Sequence, residues 1–185
     1  MEKSMADSNI TKKALAEALK QLMQEKAFEK ISVSDICEKC DMNRKSFYYH
    51  FKDKYDLVNW IFDTEFMSIT KAAPIWEDTW GWGMVICEYF YENRAFYRKA
   101  LRITGQNSFS EHFKEVLSSI LSKRLEEMLG VKIANDFQIN FFTDAIVLAF
   151  QRWMIEETSM TSEEFINNIK ICLQYMAMRY KELEK

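Results

Sequence analysis

The sequence contains very little glycine and proline. Its 185 residues include 4 glycines and 1 proline, Pro74, whereas average usages are about 7% and 5%. Because turns between strands depend heavily on these two residues, the composition disfavours β architecture and favours an all-helical protein. The 48% of apolar residues is enough to build a core in one or two small domains.

Catalytic and membrane patterns are missing as well. The 2 histidines provide little acid–base machinery, and no HExxH, GxSxG, GxGxxG or phosphate-loop pattern occurs. No window reaches the roughly 18 consecutive apolar residues of a membrane helix, and the first residues contain no apolar run of signal-peptide length. Four scattered cysteines fit a reducing compartment. We therefore expect a cytoplasmic protein that is not an enzyme.

Positive charge is concentrated in one short stretch. The net charge of the chain is −3, so any nucleic-acid site must be local. Between Arg44 and Lys54 there are four basic residues and one acidic residue, interleaved with four aromatic residues. This stretch is the candidate for contact with nucleic acid.

Capping residues and apolar spacing predict four helices in the first third of the chain. Ser32 and Asn43 are suited to accept from the free N–H groups of a helix start, and Asp53 with Asp56 has the same character. The predicted helices cover residues 9–25, 33–40, 44–51 and a stretch from residue 53 onward. A tight turn at residues 41–42 joins the second helix to the third.

Longer helices are predicted in the rest of the chain, after a break at Pro74. Residues 137–157 are apolar on nearly every side, which is typical of a helix that is central or shared with a partner. Residues 162–182 follow a capping box at residues 161–164. We predict two domains, residues 1–65 and 66–185.

Cys37, Cys40 and His50 are three zinc-ligand types within fourteen residues. A structural zinc site needs four ligands, but the other histidine, His112, is distant in sequence and no second CxxC occurs. The two cysteines share one face of a predicted helix that must approach its neighbour closely, and buried Cys behaves as a small apolar residue. We favour packing and expect neither a metal nor a cofactor.

Residues 33–51 have the pattern of a helix-turn-helix. Two short helices are joined by a tight turn, and the second begins with Arg44, Lys45 and Ser46. In such a unit the second helix enters the major groove of DNA with its first residues toward the base edges. Arg is the commonest reader of guanine, whereas Tyr and His donors suit phosphate oxygens.

The stretch ISVSDICEKCDMNRKSFYYHFKDKYDLV, residues 31–58, resembles the signature of the TetR family of bacterial transcriptional regulators. The matching positions are Ser32, Val33, Ile36, Met42, Asn43, Phe47, Tyr48, His50, Phe51 and Lys54. Cys37 and Cys40 occupy two alanine positions of that pattern, and Asp41 stands where the family usually has glycine. Asp tolerates a positive φ better than most residues, so we expect the turn to be kept.

The resemblance implies an all-α protein that binds a palindromic double-stranded DNA operator as a homodimer. A helix-turn-helix DNA-binding domain of three helices would precede a helical ligand-binding and dimerisation domain, with residues 137–157 and 162–182 in the dimer interface. The residues expected at the DNA are Ser32, Ser34, Asn43, Arg44, Lys45, Ser46, Tyr48, Tyr49, His50 and Lys54. Of these, Lys54 is expected to reach only the DNA backbone.

The later part of the chain resembles, more loosely, the regulators of dihydroxyacetone kinase operons. The similar segments are YDLVNWIFDTEF, the WGW of residues 80–82 and ENRAFYRKAL. That branch raises two alternatives for control, a small-molecule effector or a partner protein. An effector site would use Trp82, Ile86, Tyr89, Phe113 and Phe142, although aromatic residues at helical spacing also form plain core.

A second interpretation is a helical protein–protein adaptor that keeps this fold without sequence-specific DNA binding. Arg44 and Lys45 lie at the reading end of the third helix. A third helix that had lost sequence-specific DNA binding would more readily carry acidic or bulky apolar residues at these positions. The two basic residues therefore favour the operator-binding regulator.

Overall fold

The computed structural model describes residues 2–72, 79–103, 108–133, 135–156 and 159–183. Throughout these ranges the regular structure is helical and no β-strand occurs, which confirms the all-α prediction. The helices are α1 (Glu2–Glu25), α2 (Val33–Lys39), α3 (Arg44–His50), α4 (Lys54–Ala72), α5 (Thr79–Glu92), α6 (Arg94–Ala100), α7 (Phe109–Leu129), α8 (Asp136–Ile155) and α9 (Ser162–Leu183). A short 3-10 helix, Phe28–Lys30, lies between α1 and α2.

The observed helices differ most from the expected ones at the start of the chain and at α6. Helix α1 begins at Glu2 rather than near residue 9, because polar residues before the first apolar positions continue the helix. Helix α6 is a separate helix that the apolar spacing did not indicate. The break predicted at Pro74 lies outside the described residues. Within the described ranges, none of the helices has the length and apolarity needed to cross a membrane.

The chain divides into two compact units. Unit 1 consists of Met1–Phe66 and Ala95–Ser110, and unit 2 consists of Met67–Arg94 and Glu111–Lys185. The addition of residues 95–110 to the N-terminal helices was not apparent from the sequence. The assignment of DNA binding to residues 1–65 and of regulation to residues 66–185 stays a prediction.

Unit 1 is built on the apolar faces of α1 to α4. Its fully buried side chains include Leu15 and Leu19 of α1, Ile36 of α2, Phe47 of α3 and Leu57 of α4. Buried residues of both short helices therefore fix α2 and α3 against the longer helices. This arrangement holds α3 in place while its opposite face remains at the surface.

Tyr97 of α6 and Phe109 of α7 join the N-terminal helices of unit 1 through polar contacts as well as apolar ones. The hydroxyl of Tyr97, which is fully buried, donates to Glu65 Oε2 at 2.6 Å. Glu65 also pairs with Lys20 of α1, and the ring of Phe109 packs edge-on against Phe62 at 5.4 Å. These contacts attach α6 and the start of α7 to the N-terminal helices.

The core of unit 2 is mainly aromatic. Phe90 lies 5.6 Å from Phe113 and 5.2 Å from Phe150, measured between ring centroids. Trp153 of α8 stacks on Phe165 of α9 at 4.5 Å, with an interplanar angle of 12°. Helices α5, α7, α8 and α9 thus share one continuous cluster of rings.

Candidate nucleic-acid interface

Helix α2 begins at a complete capping box. The Ser32 hydroxyl accepts from the N–H of Asp35 at 3.1 Å, and Asp35 Oδ2 accepts from the N–H of Ser32 at 2.7 Å. Lys26 lies 3.0 Å from the same carboxylate oxygen. The bond from the Ser32 N–H, followed by the bond from Lys26, lowers the pKa of Asp35 to about 2. The predicted cap at Ser32 is therefore confirmed, and Ser34 lies half-buried on the same helix.

The turn between α2 and α3 is left-handed at Asp41. Its φ is 54°, a conformation that favours glycine but that Asp tolerates comparatively well. The N–H of Met42 donates to the carbonyl of Cys37 at 2.8 Å, so the turn also satisfies an acceptor at the end of α2. The chain keeps its tight turn although it lacks glycine there.

The two cysteines of the CxxC pack against neighbouring residues. Cys37 is buried and Cys40 is half-buried, and the Cys40 thiol donates to the carbonyl of Ile36 at 3.2 Å. Burial raises the pKa of both thiols above its usual value, which favours the protonated thiol over the thiolate that zinc requires. Among the described residues, no group of three or more His, Cys, Asp or Glu could hold a metal ion.

Helix α3 is capped at its start and anchored in the core of unit 1 by one buried side chain. Asn43 Oδ1 accepts from the N–H of Ser46 at 2.8 Å, which confirms the predicted cap, and Phe47 is completely buried. Arg44 and Lys45 in the first turn are exposed. The helix therefore has a fixed position and presents its basic end to solvent.

An open pocket of about 300 Å³ lies beside this basic end. The residues that line it are Thr11, Asn43, Lys45, Ser46, Tyr49 and His50. Five of these six are predicted DNA contacts. The sixth, Thr11 of α1, was not predicted, because no local pattern in α1 indicates that its side chain reaches α3. The pocket offers amide, hydroxyl, imidazole and ammonium groups, which are the donors suited to phosphate oxygens.

His50 lies at the inner side of this pocket, close to α1. Burial and, to a smaller extent, the charge of Lys12 lower the pKa of His50 below its usual value of 6.5. The Lys12 ammonium lies 5.9 Å from the ring of Phe51 and 5.8 Å from the ring of Trp60. His50 is therefore mainly neutral at pH 7 and can donate a hydrogen bond without carrying charge.

Arg44 and Tyr48 lie together on the exposed side of α3. The guanidinium carbon of Arg44 is 5.8 Å from the centroid of the Tyr48 ring. Tyr48 is 51% exposed and Tyr49 is 81% exposed. Both rings are therefore accessible to a partner.

Lys54 differs from the other predicted DNA residues. Its ammonium donates to the main-chain carbonyls of Phe28 and Ile31, both at 2.8 Å, and of Glu29 at 3.4 Å. Burial is the main cause of the lowered pKa of Lys54. An ammonium group has three hydrogens, and each has an acceptor within the protein. Lys54 therefore braces the 3-10 helix against α4, and its contact with the DNA backbone stays a prediction.

Three of the five residues predicted to form an effector site line two different cavities within the described part of the chain, and the effector site stays a prediction. Trp82 and Ile86 line a small apolar cavity of about 60 Å³ within unit 2, whereas Phe142 lines a separate groove of about 180 Å³. Phe113 is fully buried in the aromatic core, and Tyr89 packs edge-on against Phe90. Helical spacing identified apolar faces correctly but did not distinguish core rings from cavity-lining rings.

Two family models match this chain. One, described as "Bacterial regulatory proteins, tetR family", matches residues 15–61, and the other, described as "Transcriptional regulator C-terminal region", matches residues 80–175. The first match covers α2 and α3 with the second half of α1 and the start of α4. The second covers most of unit 2.

Similar proteins and structures agree with these matches. The HTH-type dhaKLM operon transcriptional activator DhaS of Lactococcus lactis is 33% identical over 123 residues, which cover 65% of this chain and 63% of that protein. A solved structure of a dihydroxyacetone kinase operon activator DhaS has a TM-score of 0.69 at 25% identity, over 91% of this chain and 97% of that one. A TetR transcriptional regulator from Streptococcus agalactiae 2603V shares the fold, with a TM-score of 0.71 at 22% identity over 92% and 97%.

Proposed function

Because this chain belongs to the TetR family of bacterial regulatory proteins, we propose that it is a sequence-specific transcriptional regulator that binds a palindromic DNA operator as a homodimer. The matched family models and relatives are regulators and not enzymes. We expect the protein to act in the cytoplasm, where its DNA target lies. It needs no cofactor for this activity.

The exposed basic end of α3 is the observation that carries the proposal. Arg44 and Lys45 extend from a helix that Asn43 caps and that Phe47 anchors in the core of unit 1. A helix that enters the major groove must have fixed backbone and free side chains at its first turn. Tyr49 and His50 at the adjoining pocket supply donors for the flanking phosphates.

The uncovered apolar faces of α8 and α9 support a homodimer. Phe137, Phe141 and Leu148 of α8 are more than half exposed, and so are Tyr175 and Met178 of α9. Contiguous exposed apolar surface on a monomer marks an interaction site. The groove of about 180 Å³ is lined by Phe137 and Phe141 together with Met176 of α9, so residues of both helices lie at one surface. A second copy of the chain is the partner that a palindromic operator requires.

Control by an effector or a partner protein is part of the proposal. The cavity at Trp82 holds about 60 Å³, whereas ligand sites for molecules of drug size have about 300–1,000 Å³. A larger effector therefore requires the helices that line this cavity, among them α5 and α9, to move apart. Gly83 is the place of close approach, because a Cβ there would lie 3.1 Å from Ile166 Cδ1.

The experiment is a selection of bound duplexes from a random pool, followed by sequencing and by gel-shift titration. The DNA upstream of this gene and that upstream of a dihydroxyacetone kinase operon are the first natural fragments to test, since the relative is an activator of such an operon. We expect enrichment of an inverted repeat with half-sites about 10 base pairs apart or a multiple of that. An unenriched pool would favour the adaptor interpretation instead.

A further inference from the structure

The side chain of Tyr48 links the core of unit 1 to Arg44. The Tyr48 ring packs edge-on against Phe47, with ring centroids 5.5 Å apart and an interplanar angle of 81°. Phe47 is completely buried. The centroid of the Tyr48 ring also lies 5.8 Å from the guanidinium carbon of Arg44. Tyr48 therefore connects the buried ring of Phe47 to the exposed guanidinium of Arg44.

The spacing of the two residues makes this contact intrinsic to α3. Arg44 and Tyr48 are four residues apart on one helix, so their side chains lie one above the other. An exposed Arg side chain has many rotamers, and holding it in one of them costs conformational entropy on binding. A cation over an aromatic face is stabilised by the ring quadrupole, which restricts where the guanidinium lies before DNA arrives.

We propose that Tyr48 is a positioning residue for base reading, whose ring face orients the guanidinium of Arg44 toward the major groove. This inference rests on the proposed function of α3 in DNA binding. The ring acts on base preference through Arg44. The Tyr48 hydroxyl also interacts with Arg44 and raises the pKa of its guanidinium, so the test must distinguish the ring from the hydroxyl.

Tyr49 is the natural comparison residue. It follows Tyr48 on the same short helix and is even more exposed, but its ring packs edge-on against His50 at 4.9 Å. It lies beside the pocket that Lys45 and His50 line. Tyr49 should therefore contribute to affinity without affecting the base that Arg44 reads.

The test measures base preference in four variants made in the full-length chain: Tyr48→Phe, Tyr48→Leu, Tyr49→Leu and Arg44→Ala. Each is titrated on the selected operator and on operators with single-base changes in the half-site. The position read by Arg44 is the one at which Arg44→Ala loses discrimination. Circular dichroism spectra and melting curves confirm that each variant is folded before its binding is compared.

We expect Tyr48→Leu to reduce discrimination at that position by about two- to fivefold per half-site, the factor that corresponds to an exposed cation–π contact. Tyr48→Phe keeps the ring face and should retain the wild-type preference, even where its overall affinity falls. Tyr49→Leu should weaken binding evenly on all sequences. In an Arg44→Ala background, Tyr48→Leu should have no further effect on preference.

Two results would overturn the role assigned to Tyr48. The first is a Tyr48→Phe variant that loses preference as Tyr48→Leu does, which would assign the effect to the hydroxyl. The second is a Tyr48→Leu variant that still changes preference without Arg44, which would make Tyr48 a reader itself. Failure of the proposed function appears separately, as a wild-type protein that binds operator and random DNA equally well.

Discussion

Lys54 contacts both the ring and the main-chain carbonyl of Phe28, the first residue of the 3-10 helix. Its ammonium nitrogen lies 4.3 Å from the centroid of the Phe28 ring and donates to the Phe28 carbonyl at 2.8 Å. Bonds to the carbonyls of Glu29 and Ile31 complete the contact. Ile31 directly precedes Ser32, the residue that caps α2. Lys54 therefore fixes the entry to the helix-turn-helix from the first turn of α4.

Replacing Lys54 by Met should destabilise the protein by about 1–3 kcal/mol, because carbonyl groups that now accept from a charged donor lose their partner. Urea titration of the unfolding transition measures this change. Lys52→Met, at an exposed position in the same stretch, is the matched control and should change stability by no more than about 0.5 kcal/mol. If Lys54→Met leaves stability unchanged and reduces the salt dependence of DNA binding, Lys54 contacts a phosphate and does not mainly stabilise the fold.

Local chemistry explains why the helix-turn-helix could be predicted from the sequence. The caps at Ser32 and Asn43 involve bonds to residues three positions later, so the signal and its partner lie in the same short stretch. The turn at Asp41 likewise depends on one residue's tolerance of positive φ. Such features are properties of neighbouring residues and do not depend on the rest of the fold.

Contacts between distant residues could not be predicted in the same way. Lys54 and Phe28 are 26 positions apart, and Tyr97 and Glu65 are 32 positions apart. Neither pair has a spacing or a motif that links its members. The bond of Lys54 to the 3-10 helix and the attachment of Tyr97 to Glu65 therefore became apparent only in three dimensions.

DNA affinity should increase as the pH falls through the range in which His50 titrates. Burial, assisted by Lys12, lowers the pKa of His50 in the free protein, while a phosphate in the adjoining pocket would raise it. Binding therefore takes up protons, and affinity should rise between pH 7 and pH 5 by at most about tenfold per pH unit for each proton taken up.

The variant His50→Gln keeps a hydrogen-bond donor but cannot titrate, so its affinity should vary less with pH. His112→Gln changes the other histidine, which lies on α7, and serves as the control. Gel-shift titrations at constant ionic strength provide the measurement. Parallel pH profiles for wild type and His50→Gln would show that His50 does not face a phosphate.

Stability should fall in acid as Asp35 becomes protonated. Its pKa is about 2 in the folded protein, below the value of about 3.9 in an unfolded chain. A carboxylate with a lowered folded pKa stabilises the native state above pH 4, and this contribution is lost as the pH falls from 4 to 2. Urea midpoints measured across that window should decline less for Asp35→Asn than for wild type. Glu38→Gln, at an exposed site on the same helix, is the control, and its urea midpoints should vary with pH as those of wild type do. If the midpoints of Asp35→Asn also declined as steeply as those of wild type, Asp35 would not be the group responsible.

A charge on the exposed apolar face of α8 or α9 should weaken self-association. Phe141→Asp and Ile171→Glu alter residues that are more than half exposed in the monomer, so the monomer fold should be kept. Each should cost about 2 kcal/mol or more of dimer stability if it lies at the centre of the interface. Sedimentation velocity is the measurement, with Lys123→Glu on α7 as a charge control.

Phe142 lies within residues 137–157, which are also predicted for this interface, but it is half-buried. A charge at Phe142 could therefore destabilise the monomer as well as the dimer. Unchanged dimers in both α8 and α9 variants would place the interface elsewhere.

The most direct test of the account compares Arg44→Ala with wild type on the selected operator and on random DNA at several salt concentrations. Arg44 lies exposed in the first turn of α3, where its planar fork can bridge two acceptors on guanine. We predict a loss of about 1–3 kcal/mol per half-site on the operator, relaxed preference at one base position, and a much smaller change on random DNA. An equal loss of affinity on operator and random DNA would contradict the claim that α3 reads sequence through Arg44.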